Sequence, residues 1–250
     1  MPRKVIGINI DGVLRDMHEQ FDKVYRKAFI KNDSLVEMDD KYNYVPESDP
    51  TDEDMKKLEL LIDEKIHLPV DTYDLMNHYH FDSREDYSKF IEDYSLELFG
   101  AASAFPRAFD TINRLQYFGE VNDLFDVILI STEKDKAIAA TYHFLAKGGC
   151  KIKNVKFLKE YYDKWEYCDV VVDDCPAVFE NKPENKISVR INHPYNVYSE
   201  VDYSFNSTHD LYNEMFLLKI FSPEKYEKQI EREKEKMRLP REEYKSPEVE

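Results

Sequence analysis

Cysteine is scarce in this 250-residue chain: Cys150, Cys168 and Cys175 are an odd set without the paired spacing of a metal site. That excludes a disulfide framework and points to a reducing compartment with buried thiols. Also missing is any apolar run near the roughly 20 residues of a membrane span. The N-terminus leads straight into a short strand without the pattern of a secretory signal. A cytoplasmic protein is expected. Positive charge is outvoted, with 35 Lys and Arg against 51 Asp and Glu and a formal net charge of −16. Such an excess repels phosphate backbones, so a nucleic-acid polymer is excluded as general partner, while a local pocket for one small phosphate is allowed. No internal repeat is present. What the chain does have is 42% hydrophobic residues, with 18 Tyr and 15 Phe, enough to build a substantial core.

The apolar pattern divides the chain. Residues 4–10 read as a buried strand that ends in Asp11-Gly12. Helical spacing follows at Phe21, Val24, Tyr25, Ala28 and Phe29. A polar loop over 39–52 and a helix over 52–66, ended by Pro69, come next. Another helix opens at Ser83, with Asp86 as capping partner, and runs to Gly100. No strand is expected within 16–100. Beyond it, Pro106 opens a helix that stops at Gly119, and "FDVILIST" (125–132) is a strand. Glu133 to Lys147 is a helix, and 154–158, 168–174 and 186–191 are further short apolar runs. Strands alternating with helices predict an α/β fold, a Rossmann-like parallel sheet with right-handed crossovers. The organisation expected is a core of 1–15 and 101–221, a helical cap inserted at 16–100, and a charged tail at 222–250. The tail is expected to be helical, from opposite charges such as Glu224 and Lys228. It is too sparsely apolar to fold alone, which makes it a candidate surface for a protein partner.

In parallel sheets, ligands sit at the carboxyl ends of the strands. Here those ends offer Asn9 and Asp11, then Ser131 and Thr132, then Asp173 and Asp174, with Lys156, Lys159 and Lys164 just before the last pair. Carboxylates from separate strands suit Mg2+, while a hydroxyl and an ammonium suit phosphate oxygens. Each piece has an ordinary explanation. Asp-Gly is a common turn, Ser-Thr a common helix cap and a loop lysine a solvated residue. Two adjacent carboxylates ending a buried strand are less ordinary, because they repel unless something cationic is near.

In this order the pieces resemble the haloacid-dehalogenase-like (HAD) superfamily, and within it the cytosolic 5'(3')-deoxyribonucleotidases. "NIDGVLRD" is similar to the first motif, "LIST" to the second, and Lys164 before "DVVVDDCP" to the third and fourth. "FPRAFDTINRL" and "INHPYN" are similar to the segment after the cap and to a late strand and loop. The resemblance implies a HAD-like core and a cap closing over a nucleoside. It gives Asp11 as general acid/base, and Ser131, with Thr132 as alternate, as phosphate ligands. Lys164, with Lys159 as second choice, would screen the phosphate. Asn9, Asp11, Asp173 and Asp174 would face Mg2+, and a nucleoside monophosphate or phosphate would be the ligand.

The departure is Asn9, which stands where that family's nucleophilic aspartate belongs. An amide has almost no nucleophilicity towards phosphorus, and losing a covalent nucleophile costs on the order of 10⁶ in turnover. The neutral group should also weaken metal binding. The expectation is therefore a pseudo-phosphatase that binds Mg2+ and phosphate or nucleotide, or serves as an assembly subunit. The alternatives are an active Mg-dependent 5'-nucleotidase, an Asp-to-Asn exchange made to trap a ligand, and a purely structural component of a larger complex such as a viral particle. Restoring aspartate at position 9 is expected to restore hydrolysis.

Overall fold

The computed structural model describes residues 3–30 and 70–238. The loop expected at 39–52, the helix at 52–66 and the last part of the tail lie outside the described residues. Contacts divide the chain into two units, Met1–Leu211 and Tyr212–Glu250.

The first unit is built on six parallel strands: β1 (Lys4–Asn9), β2 (Phe125–Ser131), β3 (Val155–Phe157), β4 (Val170–Asp173), β5 (Ile187–Ile191) and β6 (Tyr203–Phe205). Their spatial order is β3-β2-β1-β4-β5-β6, and every neighbouring pair is parallel. β1 and β2 are buried almost throughout, which explains why their sequences are continuous apolar runs. Asn9 pairs with Ile130, and Ile8 pairs with Val172. This register brings Asn9, Ser131 and Asp173 to one edge of the sheet. The three cysteines are free, with Cys168 and Cys175 buried.

The segment after β1 is helical in part where it is described, with 70–83 irregular apart from a short turn at Leu75–Asn77. It comprises α1 (Met17–Tyr25), a π-turn (Arg26–Ile30), α2 (Arg84–Asp93) and a second π-turn (Leu96–Gly100). Ser83 caps α2 by accepting from the Asp86 N–H, as its sequence predicts. Phe21, Val24, Leu75, Tyr79, Phe90, Leu98 and Phe99 form an aromatic-rich core under these turns. That core continues onto Ala137 and Ala140 of α4 (Lys136–Lys147), which follows α3 (Ala108–Val121) and β2. The helical block is thus packed on the sheet domain and belongs to the same unit. α4 starts three residues after the expected Glu133, whose carboxylate accepts from Arg15 and Thr141. On the other face, Ile128, Ile130, Trp165, Cys168, Val171, Val178 and Phe179 pack together. Short helices α5 (Lys164–Tyr167) and α6 (Pro176–Glu180) flank β4.

The second unit holds α7 (Glu214–Phe221) and α8 (Pro223–Arg238). It begins at Tyr212, earlier than the composition shift at 222 suggests, because α7 is apolar and reads as core. Among the described residues no helix is long and apolar enough to cross a membrane.

Candidate active site

β1 delivers Asn9 to the sheet edge, and the chain then turns sharply through Gly12 at φ +68°. A Cβ there would meet Asp174 Oδ2 at 2.0 Å, so both the backbone angle and the space demand glycine. Around this turn four polar side chains converge, each 4% exposed or less: Asn9, Lys164, Asp173 and Asp174. Lys164 Nζ donates to Asp173 Oδ2 at 2.6 Å and to Asn9 Oδ1 at 3.1 Å. Asn9 Nδ2 donates to the Asp11 carbonyl at 2.8 Å and to Asp174 Oδ1 at 3.1 Å. Asp173 Oδ1 accepts from the backbone N–H groups of Asp174 and Cys175. The Tyr195 hydroxyl donates to Asp174 Oδ2 at 2.6 Å.

The electrostatics follow from this closed circuit. Burial, with Asp173 alongside, pushes the Asp174 carboxyl up to about 7, and the donors Tyr195 and Asn9 only partly hold it down. Burial works against the Lys164 ammonium, but Asp173 outweighs it and leaves the pKa raised. Above the cluster, Tyr73 from the helical block lies 5.8 Å, centroid to centroid, from Tyr195 and 6.0 Å from Tyr161. His18 of α1 meets the Tyr195 ring edge-on at 5.1 Å, and burial pushes it down to about 4. His193 stacks on Tyr195 and donates from Nε2 to the Gly12 carbonyl.

The other expected residues are placed differently. Asp11 turns its carboxylate to Arg15 Nε at 2.6 Å. Arg15 is fully buried and lies between the Phe99 and Phe144 rings, 5.0 Å from each centroid. It also donates to the Phe99 carbonyl, to Thr141 Oγ1 and to Glu133. The general acid/base expected at Asp11 is therefore an ion-pair partner in this arrangement. Ser131 Oγ accepts from the Glu133 N–H two residues on, a local turn bond ahead of α4, and the residue is buried. Thr132 lies beside the Tyr161 hydroxyl, whose pKa it holds down against the rise caused by burial. Lys159 is exposed, and Lys156 lies over the Tyr167 ring. Arg15, Glu133, Thr141 and Tyr195 escaped sequence reasoning. Two of them lay inside quoted motifs, Arg15 within "NIDGVLRD" and Tyr195 within "INHPYN".

Magnesium needs several oxygens around one point with room for water. Here Asp11, Asp173 and Asp174 already hold Arg15, Lys164 with two amides, and Asn9 with Tyr195. Among the described residues, no group of three or more His, Cys, Asp or Glu side chains is arranged to hold a metal. The Mg2+ implied by the resemblance does not fit this donor set.

No protein-family model and no curated protein sequence matches the chain. Solved structures do. The magnesium-bound HAD-hydrolase YfnB from Bacillus subtilis is 14% identical with a TM-score of 0.51, over 85% of this chain and 98% of that one. A HAD family hydrolase from Deinococcus radiodurans, with bound phosphate and sodium, is 12% identical with a TM-score of 0.51, over 88% and 98%. The beta-phosphoglucomutase of Clostridium difficile is 18% identical with a TM-score of 0.50, over 92% and 99%. The fold is that of the HAD-like hydrolases. Within this HAD-like fold, the buried circuit centred on Asn9 occupies the strand ends where ligands of parallel sheets bind.

Proposed function

We propose that this chain is a retired phosphatase of HAD-like fold, in which the former catalytic strand ends form a buried polar plug and the remaining role is binding or assembly. The observation that carries this is Asn9, 4% exposed, with its amide oxygen held by Lys164 and its amide nitrogen holding Asp174. No nucleophile stands at the strand end, the lysine that would screen a phosphate is engaged, and Asp11 is paired with Arg15. Each feature independently opposes phosphoryl transfer. The likeness to nucleotidases rests on sequence motifs alone. It sets the substrates of the test rather than the conclusion. The charge-dense helix α8 supports an assembly role, with a protein partner as its ligand.

The test is phosphate release from deoxy- and ribonucleoside monophosphates and from an aryl phosphate, with Mg2+ present. Release at the level of buffer is expected, since losing the nucleophile removes a factor on the order of 10⁶. Enzymatic turnover by the parent protein would overturn the proposal. For the assembly role, removing 222–250 should abolish partner capture, and unchanged assembly would count against it.

A further inference from the structure

We infer that the Asn9 amide nitrogen stands in for a divalent cation, so that the parent protein is indifferent to Mg2+ while Asn9→Asp would make its stability depend on Mg2+. The inference deepens the retired-enzyme reading and rests on it.

Two oxygens point at Asn9 Nδ2: the Asp11 carbonyl at 2.8 Å and Asp174 Oδ1 at 3.1 Å. Acceptors converge on a common buried point only when something positive lies between them. The amide supplies this with its two N–H bonds, one for each oxygen. Its orientation is not free. Lys164 Nζ donates to Asn9 Oδ1 at 3.1 Å. A flipped amide would set NH2 against the ammonium and its carbonyl against two acceptors. Tyr195 covers the remaining Asp174 oxygen, and the cluster is buried, so water has no ready way in.

Replacing Nδ2 by a carboxylate oxygen reverses the sign at that point. Three oxygens would then face one another, and three carboxylates, at 9, 173 and 174, would share the single ammonium of Lys164. Such a set is unstable alone, but it is the oxygen-only, net-negative environment that a hard divalent cation prefers. In the parent the amide has already done what the cation would do, and nothing is left for Mg2+ to bridge.

The experiment follows thermal unfolding of the full-length parent, Asn9→Asp and Asn9→Asp/Asp174→Asn, in EDTA and in Mg2+, with bound Mn2+ counted by electron paramagnetic resonance. The parent should show no shift and no bound Mn2+. Asn9→Asp should unfold lower in EDTA and rise by about 5–10 °C at Mg2+ ~100-fold above its dissociation constant. The double variant should lose that rise. A parent stabilised by Mg2+ to the same degree would overturn the inference. So would an Asn9→Asp protein that Mg2+ does not restore, whether folded or unfolded in EDTA. These outcomes are separate from hydrolysis by the parent, which would refute the retired-enzyme reading whatever the metal response.

Discussion

Lys164 is the cation on which the buried circuit depends, since it pairs with Asp173 and holds the oxygen end of the Asn9 amide. Lys164→Met should strand the buried carboxylate. A loss of about 3–5 kcal/mol in urea unfolding is expected, and an unchanged midpoint would show that the pair is not holding the strand ends. Tyr195→Phe removes one donor from Asp174 and keeps the ring. It should cost about 1.5–3 kcal/mol in the same assay. At the same scale the structure revises one expectation. A carboxylate restored at position 9 would still lack a free acid, because Asp11 Oδ1 is bound to Arg15. Asn9→Asp is therefore expected to release phosphate no faster than the parent. Turnover by that single variant would show that Asp11 leaves Arg15 readily.

Between elements, Arg15 joins the turn after β1 to the π-turn at Phe99 and to α4 at Thr141. Glu133 completes this joint, and its carboxyl is pushed from 4.5 to about 8 by burial and by Asp11, against the pull of Arg15. The folded state thus keeps a proton that the unfolded chain has released. The stability this confers is present below about 4.5 and is lost as pH rises towards 8. Asp174 acts in the same direction up to about 7. His18 acts oppositely: pushed from 6.5 to about 4, it adds stability as pH rises through that interval and adds nothing more above it. Of these groups, only those that lose stability titrate above pH 6.5. The unfolding free energy should fall between pH 6.5 and 8. Glu133→Gln should flatten that slope, and a rising slope in the parent would contradict the assignment. The elements themselves were legible where periodicity was undisturbed. β1, β2 and β4 are continuous apolar runs, and α2 announces its start with Ser83 and Asp86. Asn9, Asp173 and Asp174 also stood out, because buried strands seldom end in amides and paired carboxylates. What was illegible is who holds whom. Arg15 sits inside a motif noticed for other residues, and Glu133 and Thr141 lie 118 and 126 positions away. β6 is only three residues long, too short to show a period.

For the whole molecule, the formal charge of −16 sets a background of self-repulsion distinct from the buried pairs. Raising NaCl from ~10 mM to ~0.3 M shrinks the screening length from about 30 Å to below 8 Å. The melting temperature should rise with it, while the cost of Lys164→Met stays the same because that pair is shielded from ions. A melting temperature that falls with salt would mean that surface pairs dominate instead. The outline of the sheet has a separate bearing on how the protein behaves when concentrated. Its two borders, β3 and β6, are three residues each, and β3 carries Lys156 at its middle. A neighbouring molecule that tried to extend the ladder would find few free backbone groups on either side, and a positive charge on one of them. Filament growth along the sheet is thereby starved of a template, and concentrated samples should scatter light as dispersed particles rather than as fibres.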